Sequence, residues 1–530
     1  MCWTDYPHCT NGRWGRQVRL WFRIFAPCLS YTVFIQRISM AKPLSVLLVT
    51  SECYPFIKTS ELADLCYAHS LGVREIGHDI RVMMPKYGFI SERKNRIHEI
   101  NRLRDIPIPV GPESFPATVK SSSINNPRVK VQAYITTNTN FLDVNKGLMA
   151  DNNTGVEFPD NDERFIFFNR TVLETCMLLG WFPDVIHCVG WATALIPAFI
   201  RTQFPNEFRK TKIVMTISDF AEQGVFPLKT LAKTGLNDEA QMAGKYKAKT
   251  NFLRLGLAYA DKVTTLSPEY AEELLANKEF KDNWLPLLKK KPLTGVPHGI
   301  DLMQWNPKTD TCVKPKYDAK DTSGKQSAKE LLQRLSDLPD RPDVAVASFV
   351  GPMTEERGAD IIAHVIPDLV KENVQVIIAT EIPSPMKKTF DALVKKYPHN
   401  VALKLCFDEE YLHALMAGST LLLKPSRQEV SGQFQRIALV YGTIPVIRPI
   451  SGLAEGLTEV DEVNGTGNAF LLKKGDAADL LKTVKRALKV REQQAVWNGV
   501  VQRAMTTNVG WGLSAIPYDE LYRNLMKEAK

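Results

Sequence analysis

The sequence predicts a two-lobed α/β protein built on two doubly wound, Rossmann-like parallel sheets that face a central cleft. Three observations predict it. Short apolar runs alternate with helix-like stretches along most of the chain, the pattern of a parallel sheet buried on both faces. A polar stretch interrupts that alternation once, after which it restarts. At 530 residues the chain is too long for a single hydrophobic core.

The first series opens with Leu44–Thr50, an apolar run short enough to be a buried strand. A loop through Pro55 leads to a helical stretch from about Leu62 to Ile76, ended by Gly77, and then to a second strand at Ile80–Met84, stopped by Pro85. Further strands are expected at Val185–His187, Lys212–Thr216 and Lys262–Leu266. From Lys308 to about Asp343 the chain is dense in Lys, Asp and Ser, and reads as a polar linker carrying one exposed helix near Ala328–Leu335. The second series begins at Val344–Val350 and continues at Val374–Ile378, Val401–Leu405, Thr420–Leu423 and Ile444–Ile447. The expected lobes are therefore 40–307 and 344–530, with a final helical segment packing back on the first lobe. In such sheets ligands bind beyond the carboxyl ends of the strands, which puts a site between the lobes.

Residues 1–39 differ in kind, being rich in Trp, Arg and Cys with little periodicity, and are left out of the fold. An upstream extension ahead of Met40, an organelle-targeting segment and a weak signal or interfacial anchor all remain open for them.

Composition narrows the function. With 44% hydrophobic and 24% charged residues the chain reads as a soluble globular protein. A net charge of +9 is small for this length, and no basic face with interleaved aromatics suggests nucleic acid. No apolar run is long enough to span a bilayer. The nine cysteines show neither a CxxC pair nor metal-ligand spacing, so no metal is expected and a reducing cytoplasm is the default, with a plastid or other organelle left open.

The motifs narrow it further. Thr50-Ser51-Glu52-Cys53-Tyr54-Pro55-Phe56-Ile57-Lys58-Thr59, followed by Leu62-Ala63-Asp64, resembles the S-E-x-x-P-x-x-K-x-G-G-L-A-D opening of the bacterial glycogen synthases and plant starch synthases. Matches follow in family order at Asp160–Phe165, Gln223–Pro227, Asn251–Arg254, Tyr259–Pro268, Val296–Asp301, Trp305–Pro307, Pro425–Glu429 and Tyr441–Pro445. The resemblance implies the GT-B fold and transfer of glucose from ADP-glucose, as donor rather than resident cofactor, to the non-reducing end of an α-1,4-glucan with retention of configuration. It implies no metal. Departure of ADP develops negative charge, so positioned cations and backbone amides carry such chemistry.

The same alignment marks departures at those positions. The Gly-Gly pair that lets backbone approach a phosphate is Ser60-Glu61, and the acidic residue of the H-x-H-D-W-H stretch is Gly190. The histidine of T-I-H-N is Ser218, and the diphosphate-clamping Arg and Lys of S-R-L-x-x-Q-K-G are Pro352 and Arg357. The glycine turns at Ala379–Ile382 and Ile450–Leu453 are altered, and Ser431 stands for a cysteine. Glu429, matching the family's donor-side glutamate, is kept.

Glu429 and Arg357 are thus the candidate catalytic residues, and Lys58, His187, Trp191, His298, Gly299 and Gly432 the candidate substrate contacts. Packing readings stand beside them: His187 as a satisfied core histidine, Trp191 as core, His298 as a turn residue, Arg357 as surface charge. Synthase activity is expected to be very weak or lost. The alternative is a silent α-glucan-binding relative acting as regulatory partner of an active synthase.

Overall fold

Each expected strand forms, and central strands such as Ala345–Val350, Val374–Thr380 and Ile444–Ile447 are buried on both faces, whereas the edge strand Val401–Leu405 is only half-buried over its last three residues. A computed structural model describes residues 42–144, 147–151, 156–288, 291–380 and 386–528; the 1–39 extension and the altered turn residues Glu381-Ile382 lie outside them. From Leu44 onward the chain forms one compact unit.

The first sheet has ten strands. Seven run parallel in the order Leu293–Gly295, Lys262–Thr265, Lys212–Ile217, Val185–Val189, Ser45–Val49, Asp79–Pro85 and Lys130–Thr137. Glu113–Asn125 then pairs antiparallel with Lys130–Thr137 and carries Ile106–Val110 and His98–Glu99 along its other edge. The second sheet has six parallel strands ordered Val401–Leu405, Val374–Thr380, Ala345–Val350, Leu421–Lys424, Ile444–Ile447 and Phe470–Leu471. A small antiparallel sheet joins Lys245–Tyr246, Lys249–Asn251 and Val225–Pro227.

This order creates one topological switch point per sheet. Ser45–Val49 lies between Asp79–Pro85 and Val185–Val189, so the connections leaving its C-terminal end and that of Val185–Val189 diverge. Ala345–Val350 lies likewise between Val374–Thr380 and Leu421–Lys424. Loops 51–60, 190–194, 351–358 and 425–432 emerge at these two points, where a crevice opens in doubly wound sheets.

Two regions depart from expectation. The antiparallel strands between residues 98 and 137 went unrecognised because Ile106–Val110 is interrupted by Pro107 and Pro109; both prolines are exposed while Ile106, Ile108 and Val110 are buried, an arrangement an edge strand tolerates. The stretch 308–343 is not a solvated linker. Its helix, Gly324–Leu335, buries Ala328 and Leu332 against the helix Glu409–Gly418. Lys325 donates to the carbonyls of Ala417 (2.9 Å), Ser419 (3.1 Å) and Tyr441 (2.9 Å), so a lysine of the expected polar linker closes a helix end. Burial pushes its ammonium down to about 7. The second-lobe core reaches back as far as Ile300 and Trp305, whose indole stacks on His413 at 4.2 Å.

The last helix, Gly512–Lys527, returns to the helix Glu61–Glu75 of the first lobe. Gly72 permits that approach, because a Cβ there would stand 2.5 Å from the Trp511 ring. Polar pairs then fix the helix: His78 Nε2 with Asp519 at 2.7 Å and His69 Nε2 with the Tyr522 hydroxyl at 3.0 Å.

Candidate functional site

The loops from the two switch points enclose a cleft of about 540 Å³. Its first-lobe wall starts at the turn after Ser45–Val49. Glu52, buried beneath that turn, accepts from the Thr59 N–H (2.7 Å), the Thr59 hydroxyl (2.9 Å) and the Ser60 N–H (3.2 Å), and the Ser60 hydroxyl also donates to it. Burial raises the Glu52 carboxyl above its ordinary value even though these donors oppose the shift. Ser60 is also the N-cap of the helix Glu61–Glu75, its hydroxyl accepting from the Leu62 N–H at 3.1 Å. The serine that replaces a glycine is thus built into the loop, and Glu61 follows it into the cleft.

Lys58 lines the same wall, where its ammonium pairs with Asp64 at 2.7 Å. Gln433, from the second lobe, donates to the same Asp64 oxygen at 2.6 Å and ties the walls together. Trp191 reaches the cleft half-buried, its ring set edge-on against Phe165 at 4.9 Å. Gly224 lies so close that a Cβ would stand 2.3 Å from the indole. Gly190, just before it, has φ 73° and ψ 169°, a conformation confined almost wholly to glycine. Ser218, Asp219 and Glu222 complete this wall.

The second-lobe wall centres on Glu429, which is 3% exposed. Arg357 meets one of its oxygens at 2.5 Å, and Lys424 (3.3 Å) and the Ser426 hydroxyl (3.2 Å) meet the other. Burial would raise this carboxyl, but Lys424 and Arg357 outweigh it and hold Glu429 below its ordinary value. Glu61 experiences the reverse: burial and the Glu429 charge push it up to about 7 against the pull of Lys424 and Arg357.

Lys424 was missed in the sequence. It ends the buried strand Leu421–Lys424, and its ammonium lies 3.6 Å from where a Cβ would stand on Gly351, beside the Pro352 that replaces the clamp arginine. A charged residue closing an apolar strand at a sheet's carboxyl end was the available signal. The second lobe therefore places two cations in the cleft, and both are committed to Glu429.

Of the expected residues, the structure brings Glu429, Arg357, Lys58 and Trp191 together around the cleft. The other four lie elsewhere. His187 is 2% exposed, with Nδ1 on the Tyr522 hydroxyl (2.7 Å) and Nε2 on the Thr216 hydroxyl (2.6 Å). Burial depresses it to about 3, which makes it a neutral core histidine. His298 is likewise buried, bonded through Nδ1 to the Leu266 carbonyl at 3.0 Å and depressed to about 4 by burial. Gly299 serves packing: a Cβ would stand 2.1 Å from the Gly510 carbonyl. Gly432, at φ 64°, sits between the lining residues Ser431 and Gln433, and a Cβ there would stand 2.5 Å from the carbonyl of Gly452. Among the described residues no group of three or more His, Cys, Asp or Glu is placed to hold a metal, and no helix is long and apolar enough to cross a membrane.

Comparison with known proteins agrees with this architecture. Residues 45–289 match the starch synthase catalytic domain family. The glycogen synthase of Chlorobium phaeobacteroides is 34% identical over 486 residues, covering 91% of this chain and 98% of its own. That of Bacillus cereus is 32% identical over 492 residues, covering 91% and 100%. Among solved structures, the catalytic domain of starch synthase IV from Arabidopsis thaliana, bound to ADP and acarbose, superposes with a TM-score of 0.82 at 22% identity, over 92% of this chain and all of that one. Sucrose-phosphate synthase from Thermosynechococcus elongatus gives 0.55 at 15% identity over the same shares. With both sheets in place and homology running through both lobes, the chain belongs to the glycogen and starch synthase family of GT-B glycosyltransferases.

Proposed function

We propose that this family member transfers glucose from ADP-glucose to the non-reducing end of an α-1,4-glucan very weakly or not at all. The observation that carries the reading is the charge state of the cleft. Among the described residues, five lining carboxylates, Glu52, Glu61, Asp219, Glu222 and Glu429, face three cations, Lys58, Arg357 and Lys424. Each cation lies within ion-pair distance of a carboxylate of this chain. A diphosphate entering such a cleft must displace Glu429 from Arg357 and Lys424 while approaching Glu61. The groups that a leaving ADP needs are thereby occupied, and loss of one positioned electrostatic group alone lowers a rate by about 10² to 10³.

A second reading, a catalytically silent glucan binder acting as partner of an active synthase, draws on the Trp191 wall. That side chain and its packing on Phe165 and Phe226 do not depend on the phosphate clamp. One pair of experiments separates the readings. Incorporation of labelled glucose from ADP-glucose into glycogen is expected at or near background, and calorimetry is expected to show heat with maltoheptaose but no saturation with ADP-glucose or ADP at millimolar concentration. Steady incorporation would overturn both readings. Absence of maltoheptaose heat would remove the second.

A further inference from the structure

Arg436 is a buried cation, 2% exposed, that does not line the large cleft. Its Nη1 donates to the carbonyls of Ser431 and of Gly432, the latter at 3.2 Å, and so grips the loop that carries Glu429. Its Nη2 donates to Glu455 at 2.6 Å. A buried guanidinium needs such partners, so the positions of the Glu429 loop and of Glu455 are set together. Close backbone packing joins the two segments as well. A Cβ on Gly452 would stand 2.3 Å from the Val430 carbonyl, and Gln435 donates to the Gly452 carbonyl at 2.8 Å.

Loop 451–455 of the second lobe also meets the first-lobe helix Pro268–Ala276. Ser451 donates to Glu273 of that helix, and Val430 packs on the first-lobe core. Glu269, on the same helix, keeps one carboxylate oxygen buried with no hydrogen-bond partner among the described residues. Carboxylates thus come to this seam from both lobes, with Arg436 as the cation between them. Burial and the Glu269 charge raise the Glu455 carboxyl to about 7, although Arg436 opposes the shift. Of the other titratable groups, Glu272 is exposed, and His298, which feels the Arg436 charge, is depressed to about 4 by burial and is neutral at neutral pH. Closing the seam therefore takes up a proton that an opened, solvated Glu455 releases. The contact is fully present below about pH 4.5 and is lost as pH rises through about 7.

We propose that Arg436 and Glu455 position the Glu429 loop and form a proton-linked latch between the lobes. A proton on Glu455 keeps loop 451–455 against the helix Pro268–Ala276, and its loss loosens that contact and the Glu429 loop together. The inference goes beyond the reading above and does not depend on whether the cleft transfers glucose.

Hydrogen–deuterium exchange on the full chain at about pH 6 and about pH 8.5, corrected for the intrinsic rate at each pH, tests it. Protection of 268–276 and of 425–434 is expected to fall together between the two, by about tenfold. Glu455→Gln keeps an acceptor for Arg436 but carries no charge, and is expected to hold both segments at the level the wild type shows in the more acidic buffer. Glu269→Gln removes the opposing charge and is expected to shrink the loss in the more alkaline one. Wild-type protection that ignores pH, or a pH dependence that survives Glu455→Gln, would overturn the latch. Loosening of 268–276 that leaves 425–434 unchanged would overturn the positioning of the Glu429 loop. A Glu269→Gln variant that behaves as wild type would overturn the pairing across the seam.

Discussion

Two buried carboxylates face the cleft from opposite walls, and the protein satisfies them by different means. Glu52, 2% exposed, is held by hydroxyls and backbone N–H groups of residues seven and eight positions further on, and its carboxyl is raised. Glu429, 3% exposed, is held by two cations and lies below its ordinary value. The first wall is therefore acidic and built from local contacts. The second is a charge cluster whose members depend on one another, so the walls should respond differently to the same kind of substitution.

The largest effect is expected on the second wall. Lys424→Met removes one of the two cations on Glu429, and leaving a buried charge short of its partner costs about 3–5 kcal/mol. Urea denaturation should show that loss as a lower midpoint at unchanged slope. A loss below about 1 kcal/mol would mean that Arg357 alone satisfies Glu429 and that Lys424 is free to meet a ligand. That result would undo the case for impaired catalysis.

The first wall can be challenged at Gly190. Restoring the family's aspartate there is the obvious repair, yet φ 73° and ψ 169° place a non-glycine residue in strained backbone costing on the order of 1–3 kcal/mol. The added Cβ also comes within 3.0 Å of the Ser218 hydroxyl, at the position where the family carries a histidine. Gly190→Asp alone is expected to lower the thermal midpoint without restoring transfer, because the backbone has adapted to the glycine. Unchanged stability would show that the loop can relax, and that repair of this wall is a matter of side chains only.

How much of this was legible beforehand differs between framework and site. Strands such as Ala345–Val350 and Ile444–Ile447 are apolar on both faces, and burial of that kind writes itself into a run of residues. The chain 300–343 hid its role because its contacts are long-range: Lys325 closes carbonyls about a hundred residues away, and nothing in Lys-Gln-Ser-Ala announces that. Glu429, Arg357, Lys58 and Trp191 stand at motif positions that the fold also brings to the cleft. His187 and His298 sit in motifs equally well, but the last helix covers His187 with Tyr522, and their neutrality follows from that packing rather than from their neighbours in sequence. Lys424 lies one residue past the expected strand Thr420–Leu423, so the strand pattern gives no sign that it starts a site.

The mildest perturbation sharpens the comparison most, since Glu61 stands on one wall and responds to the other. Its carboxyl lies at about 7 in the folded protein against an ordinary 4.5, so between those values the folded state holds a proton that the unfolded chain has released. Its contribution to stability is therefore fully present below about pH 4.5 and is lost as pH rises towards 7, opposite in sign to Glu429, whose contribution is lost as pH falls. Glu61→Gln removes the first of these slopes and leaves the second. Because the neutral amide no longer opposes an anion near Arg357 and Lys424, it should also tighten pyrophosphate binding at pH 7.5 by about fivefold, on the order of 1 kcal/mol. The gain should vanish near pH 5.5, where the wild-type carboxyl is already protonated. An affinity that stays pH-independent in the wild type, or a variant no tighter than wild type at pH 7.5, would mean that Glu61 does not hold the phosphate position and that the acidity of the first wall has no bearing on what the second can bind.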